Sequence, residues 1–298
     1  MLRSGLPSAS GNVQAVPLFV ELCAGTAAVS LRLHDAERKP PISRQGGKQN
    51  YADATLRVLG LSPGQRAHQY VWAEPDDGAR MLLHSYTDQN LWLGVADVLE
   101  SWLSEPARAL WGALRAETPV AAATPRAVAR QVLLEGWSLW GTMYRGPGAS
   151  QLGTVGVTLP GLVRRFRTGH DAVDACIYRD AREVPIRTGA VVYIDPPYVG
   201  TAGYEHELSR ADVIGLATAW ASNGNTVAIA EAEPISELVA IGWYAQELTW
   251  ARDTGRRGRT YSGQKREFIT CNIRPCHPGM PTRPVLPALA ANRGKRVL

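Results

Sequence analysis

The sequence predicts a doubly wound, mostly parallel α/β sheet, and two observations lead to this prediction. Short, largely apolar segments recur along the chain and alternate with segments of helical periodicity. Each apolar segment has the length of a strand, and most of them are followed within two residues by a glycine or an acidic residue. Strands that are apolar on both faces are typical of parallel sheets covered by helices on both sides. Ligands bind such sheets at the carboxyl ends of the strands, so the residues that follow each strand are the functional candidates.

The first third of the chain contains two predicted strands and three predicted helices. The strands are predicted at Leu18 to Cys23 and Tyr70 to Ala73, and helices at Thr26 to Leu33 and Gln49 to Leu59. A third helix is predicted to begin after Asp76 or Asp77, because a carboxylate at that position can cap the first turn.

The amino-acid composition changes between residues 91 and 170, which contain five of the nine tryptophans and a Gly-rich stretch. We predict an inserted helical and Gly-rich region here, with residues 16–90 and 171–273 as the core domain and residues 274–298 as a disordered tail. Tryptophans at helical spacing are usually core residues, and Trp137, Trp140 and Tyr144 are the candidates for stacking on a base.

Strand patterns return in the second half of the chain. They are predicted at Val173 to Tyr178, Ala190 to Ile194, Thr226 to Ala230, Glu247 to Trp250 and Glu267 to Cys271. A helix is predicted at Ala211 to Ala221. The last two strands flank a strongly basic loop.

The composition is that of a soluble globular protein, with 45% hydrophobic and 20% charged residues. No apolar run has the length of a membrane span, and the first twenty residues lack the apolar segment of a signal peptide. The four scattered cysteines indicate free thiols in a reducing cytoplasm. Cys271, Cys276 and His277 lack a second ligand pair, so no metal site is expected. The oligomeric state is left open.

The most informative motif is Asp195-Pro196-Pro197-Tyr198, directly after the strongest predicted strand. The two prolines hold the backbone extended after Asp195. An exocyclic amino group of a nucleobase is a poor nucleophile, because its lone pair is delocalised into the ring. A carboxylate and a backbone carbonyl that accept its two N–H bonds pull the nitrogen toward tetrahedral geometry and free that lone pair. Asp195 and the Pro196 carbonyl are the predicted acceptors, and the Tyr198 ring is predicted to stack on the base.

A second set of strand-end residues predicts a nucleoside-cofactor pocket. The segment containing Glu21, Cys23, Ala24 and Gly25 reads as a strand, a tight glycine turn and a helix. The glycine lets the backbone approach a ligand, and Glu21 can bind an ammonium group. Two more carboxylates follow later strands: Glu74 is predicted to accept ribose hydroxyls and Asp180 an adenine amino group.

These motifs together resemble the Dam-like class of adenine-N6 DNA methyltransferases of bacteria and phages. The matching segments are Phe19 to Leu31, Ala73 to Asp76, Tyr178 to Arg182, Val192 to Tyr198, Gly46-Gly47-Lys48 and Lys265 to Asn272. The resemblance implies a Rossmann-like class I S-adenosylmethionine-dependent methyltransferase fold with an inserted target-recognition region. It also implies S-adenosylmethionine as cofactor, with Lys48 near its carboxylate, and double-stranded DNA as partner.

The sequence departs from the pattern of that class at two points. Ala27 stands where the cofactor turn usually has a second glycine. The Gly-Gly-Lys element, which normally precedes the cofactor turn, follows it by about twenty residues. We interpret residues 46–48 as a relocated element that occupies the same place in space.

The basic loop is the predicted grip on nucleic acid, through Arg256, Arg257, Arg259 and Lys265. A base within a duplex must be flipped out to reach a pocket at the strand ends. Three alternatives to DNA adenine-N6 transfer stay open: amino-methylation of RNA, cytosine-N4 transfer, and an inactive nucleic-acid-binding module. The sequence does not reveal a recognition site or a partner nuclease for restriction-modification.

Overall fold

The computed structural model describes residues 16–42, 48–120, 122–137, 158–168, 171–198, 208–248 and 267–275. In these ranges seven strands form one sheet: β1 (Val16–Leu22), β2 (Ala67–Ala73), β3 (Ala175–Tyr178), β4 (Ala190–Ile194), β5 (Thr226–Glu231), β6 (Tyr244–Glu247) and β7 (Phe268–Cys271). The helices in the same ranges are α1 (Ala28–His34), α2 (Ala52–Val58), α3 (Asp77–Thr87), α4 (Gln89–Ser101), α5 (Ala107–Ala116), α6 (Pro125–Trp137), α7 (Leu159–Arg167), α8 (Arg210–Ser222) and α9 (Ser236–Ala240).

The strand order is β3-β2-β1-β4-β5-β7-β6. The first five strands are parallel, and β7 lies antiparallel between β5 and β6. The order reverses between β1 and β4, which is the point where doubly wound sheets bind their ligands. The predicted Rossmann-like, doubly wound mixed sheet of class I type is therefore confirmed.

Each face of the sheet carries its own hydrophobic core. On one face, Phe19, Trp72 and Tyr193 pack beneath α1 to α7. On the other face, Val20 and Val192 pack against the buried residues of α8 and α9. Alternate residues of β1 and β4 enter opposite cores, which explains why these strands read as apolar at nearly every position.

The helices between residues 89 and 167 share the core of the first face. An aromatic chain runs from β2 through Trp72, Tyr86, Trp92 and Phe166, with successive ring centroids 6.1, 5.8 and 4.0 Å apart. Trp137 is 2% exposed and belongs to the same core, so this candidate for base stacking is a core residue. Trp140 and Tyr144 lie outside the described residues.

Several predicted elements are confirmed with their bounds nearly unchanged, and others begin two or three residues from the predicted position, as β2 does at Ala67 and α2 at Ala52. The β4 strand matches its prediction residue for residue, and Asp76 caps α3 by accepting from the Ala79 N–H at 2.7 Å. Helix α1 begins at Ala28 rather than Thr26, because Ala27 adopts a left-handed conformation that is incompatible with a helix. The strand predicted from Glu247 begins earlier, at Tyr244, directly after a turn at Gly242.

None of the described helices combines the length and the apolar character that a bilayer span requires.

Candidate active site

The carboxyl ends of three strands lie together near the point where the strand order reverses. The Asp195 N–H donates to the Leu22 carbonyl at 3.0 Å, and the Ala24 N–H donates to the Ala73 carbonyl at 2.9 Å. The ends of β4, β1 and β2 are therefore tied side by side. The predicted catalytic tetrapeptide and the predicted cofactor turn consequently lie next to each other.

The cofactor turn is built from residues with positive φ. Cys23, Gly25 and Ala27 have φ values of 60°, 53° and 51°. Ala27 thus adopts a left-handed backbone conformation that glycine adopts readily, at a cost of about 1–2 kcal/mol for an L-residue. A Cβ added to Gly25 would meet no described atom within 4 Å, so the space in front of this residue is open to a ligand.

Glu74 lies directly against this turn, as the sequence predicts. Its carboxylate accepts from the Gly25 N–H at 2.7 Å and from the Asp76 N–H at 3.0 Å, and the residue is 8% exposed. Because these bonds fix the side chain at the end of β2, Glu74 presents a buried acceptor beside Gly25.

Asp180 follows β3 but has a local partner. Its carboxylate accepts from the Arg182 N–H at 2.8 Å and from the Arg182 guanidinium at 2.6 to 3.1 Å. These bonds lower the pKa of Asp180, which therefore stays ionised. The residue caps a short 3₁₀ turn, so a ligand at Asp180 would share its oxygens with Arg182.

The hydrogen-bond partners of Glu21 were not anticipated from the sequence. It lies within β1, is 2% exposed and accepts hydrogen bonds from the backbone and the hydroxyl of Ser30 in α1. Trp72 in turn donates to the Ser30 hydroxyl at 2.9 Å. Burial raises the pKa of Glu21 to about 7. These contacts brace α1 behind the turn, and the predicted bond to a ligand ammonium group stays a prediction.

The Cys23 thiol reports the electrostatic character of the turn. Burial raises its pKa, and the nearby carboxylates of Glu74, Asp195 and Asp180 raise it further. The carboxylates at the ends of β2, β3 and β4 therefore act on one point. Their combined field disfavours an anion at this point and favours a cation.

On the other side of Asp195 lies a buried cluster of charged groups. The Lys48 ammonium is 3.1 Å from Asp195 Oδ1 and 2.5 Å from Glu267 Oε1, and it donates to the Tyr198 hydroxyl. Tyr198 donates to the same Glu267 oxygen. Lys48 and Glu267 are 6% and 7% exposed at their side chains, and Asp195 is 17% exposed.

The protonation of Asp195 is set by this cluster. Burial raises its pKa to about 7, Lys48 opposes that rise, and Glu267 and Glu231 add to it. Burial alone would lower the pKa of Lys48, but Asp195 and Glu267 outweigh it and raise that pKa. The ammonium therefore stays charged and keeps Asp195 able to ionise near neutral pH.

Two findings concern residues that the sequence assigned differently or missed. The described contacts of Lys48 are with Asp195, Tyr198 and Glu267 and not with the Gly25 turn, so its assignment to the cofactor carboxylate stays a prediction. Glu267 was predicted only as the start of a strand. Its sole sequence signal was its place in the Lys265 to Asn272 segment of the resemblance.

The predicted nucleic-acid contacts Arg256, Arg257, Arg259 and Lys265 lie outside the described residues. Helix α7 carries a smaller basic cluster formed by Arg164, Arg165 and Arg167. Arg167 pairs with Asp97 at 2.7 Å and also with Glu100, which leaves less of its charge for a phosphate.

Comparisons with known proteins give one structural neighbour to report. No protein-family model and no curated protein sequence matches the chain. Among solved structures, the rRNA methyltransferase aviRa from Streptomyces viridochromogenes is similar over 86% of this chain and 77% of that chain, with 15% identity and a TM-score of 0.31. The assignment of the fold rests on the strand order and register of the chain itself.

The two strand-end carboxylates make a testable pair. We expect Glu74→Ala to weaken binding of S-adenosylmethionine about 10- to 100-fold, since it removes a hydrogen bond from a charged acceptor, about 1.5–3 kcal/mol, and unties Gly25. Asp180→Ala should have a smaller effect, because Arg182 already occupies its carboxylate. Calorimetry measures both affinities. Unchanged affinity in both variants would refute the cofactor pocket.

Proposed function

We propose that this chain is an S-adenosylmethionine-dependent methyltransferase that acts on an exocyclic amino group of a nucleobase. The observation that carries this proposal is the bond between the Asp195 N–H and the Leu22 carbonyl, 3.0 Å long, at the start of the cofactor turn. It supports a site in which a methyl donor and an amine acceptor meet at one end of the sheet.

The residues of the turn fit such a cofactor. Gly25 leaves open space, Glu74 offers a buried acceptor for ribose hydroxyls, and the carboxylate field at Cys23 favours a positively charged sulfonium. When bound, S-adenosylmethionine supplies a methyl group that an amine can attack. Asp195 orients that amine by accepting one of its N–H bonds, and the Pro196 carbonyl accepts the other. The proton is lost after transfer, so no separate base is required beforehand.

The finer proposal is transfer to the N6 amino group of adenine in double-stranded DNA, with the base flipped out of the duplex. It is supported by the aspartate form of the catalytic motif and by its position at the end of β4, next to the cofactor turn. The helices α4 to α7 pack on one face of the sheet and belong to the predicted inserted region, residues 91–170. That region is the proposed reader of the target sequence.

One experiment distinguishes the general proposal, methylation of an exocyclic amino group, from the finer proposal of adenine N6 in DNA. The protein is incubated with methyl-labelled S-adenosylmethionine and either plasmid DNA or total RNA, and the product is digested to nucleosides. We expect label in N6-methyldeoxyadenosine. Label in N4-methyldeoxycytidine or in a ribonucleoside would contradict the finer proposal and keep the coarser one. Absence of label from both polymers would contradict both.

A further prediction concerns the basic loop. If Arg256 binds a phosphate, Arg256→Ala should weaken binding to cognate and non-cognate duplexes about equally. It should also reduce the slope of log affinity against log salt concentration by roughly one unit. Arg187→Ala is the matched control, because Arg187 is exposed and precedes β4, at the amino-terminal ends of the parallel strands. A changed site preference with an unchanged salt slope would assign the loop to base reading instead.

A further inference from the structure

Glu267 occupies a fixed place between the sheet and the candidate catalytic residues. It directly precedes β7, is 5% exposed, and its carbonyl accepts from the Leu248 N–H at 2.7 Å. This bond continues the pairing of β6 with β7 by one residue. The backbone of Glu267 is therefore held by the sheet, and its side chain reaches the Asp195 site from a rigid base.

The side chain of Glu267 organises Lys48 and Tyr198. One oxygen, Oε1, accepts from the Lys48 ammonium at 2.5 Å and from the Tyr198 hydroxyl. The ammonium has three N–H bonds, and its contacts with Asp195, Glu267 and Tyr198 use all three. Lys48 is thus a shared cation whose position depends on two carboxylates.

We propose that Glu267 is a positioning residue for methyl transfer, which holds Lys48 and Tyr198 at a fixed distance from the amine-accepting carboxylate of Asp195. This inference rests on the proposed function, because it gives Asp195 the role of accepting the target amine. Without Glu267, the ammonium would move fully onto Asp195 and compete with that amine for its oxygens. Tyr198 would lose the acceptor that orients its ring.

The surroundings of Asp195 predict a second effect. Among the described residues, seven charged or titratable groups act on it. Glu21, Tyr193 and Glu231 lie in β1, β4 and β5, Cys23 and Tyr198 follow β1 and β4, and Lys48 and Glu267 precede α2 and β7. Of these, Lys48 lowers the pKa of Asp195, and Glu267 and Glu231 raise it. A neutral residue in place of Glu267 therefore lowers that pKa. Asp195 then stays ionised to lower pH.

The test compares Glu267→Gln with Glu247→Gln. The second variant removes the same charge from an exposed position on β6, where Glu247 pairs with Phe268 of β7. We expect Glu267→Gln to reduce kcat about tenfold or more, to change the affinity for S-adenosylmethionine less than about threefold, and to move the acid limb of the pH–kcat profile to lower pH. Glu247→Gln should change none of the three. Glu267→Asp keeps the charge on a shorter arm, so it should reduce kcat without that movement of the acid limb.

A measurement without turnover separates this inference from the proposed function. The ¹³C resonance of the Asp195 carboxyl, assigned by its loss in Asp195→Asn, is titrated in the wild type and in Glu267→Gln. A lower midpoint in the variant supports the coupling between Glu267 and Asp195, whether or not a methylated product is found. Absence of a methylated product would contradict the proposed function alone. An unchanged midpoint together with unchanged kcat in folded Glu267→Gln would overturn the positioning role. Should Glu267→Gln fail to fold, Glu267→Asp against wild type decides by kcat.

Discussion

Asp195→Ala should reduce methyl transfer at least about 10³-fold, or ~4 kcal/mol of activation free energy, and leave cofactor affinity within about threefold of wild type. Asp195 is the carboxylate proposed to accept the target amine, and the hydrogen bond from its backbone N–H to the Leu22 carbonyl fixes it beside the turn. The proposed cofactor contacts through Gly25 and Glu74 do not involve the Asp195 side chain, so binding should persist. Turnover is measured with labelled cofactor and the preferred polymer, and affinity by calorimetry.

Asp171→Ala is the control for this substitution. The side chain of Asp171 is 73% exposed and pairs with Arg66. Asp171 precedes β3, at the amino-terminal ends of the parallel strands, whereas Asp195 lies at their carboxyl ends. We expect full activity in this variant. Turnover of Asp195→Ala within about tenfold of wild type, equivalent to ~1.4 kcal/mol, would remove Asp195 from the proposed mechanism.

The strands were predictable from the sequence because their pattern is local. Ala190 to Ile194 is bounded by a glycine at 189 and by Asp195-Pro196, so the signals for both ends lie within the segment. The left-handed Ala27 was not predictable from local propensity, because alanine favours helices, and its one signal was that the class the sequence resembles has a glycine at this position. Its conformation is imposed by the turn between β1 and α1.

The site was predictable in its strand-end carboxylates and not in its ion pairs. Glu74 and Asp195 follow strands, and the rule for parallel sheets places them at one edge. The bond between Lys48 and Glu267 joins residues 219 positions apart, and no local pattern encodes such a contact. Asp180 shows the converse, because its partner Arg182 is two residues away and could have been recognised as a competing local bond.

Lys48→Met should affect both stability and activity, because Lys48 is the cation that the Asp195 and Glu267 carboxylates share. Breaking a buried ion pair by removing one partner costs about 3–5 kcal/mol. Loss of the ammonium also raises the pKa of Asp195 further above its ordinary value, from about 7 in the wild type. Since transfer needs the ionised carboxylate, the acid limb of the activity profile should move to higher pH, opposite to the movement expected for Glu267→Gln.

The stability of Lys48→Met should depend on pH in the same sense. A carboxyl whose folded-state pKa lies above its unfolded value is most stabilising when protonated, so the variant should lose stability as pH rises from about 4 through the raised pKa of Asp195. Urea unfolding at pH 5 and pH 8 measures this difference, with Lys39→Met as the control because Lys39 is exposed. An activity profile and an unfolding free energy that both match those of Lys39→Met would show that Lys48 does not govern Asp195. Recovery of activity at high pH in a folded Lys48→Met would instead identify the ammonium as the group that keeps the amine-accepting carboxylate ionised at neutral pH.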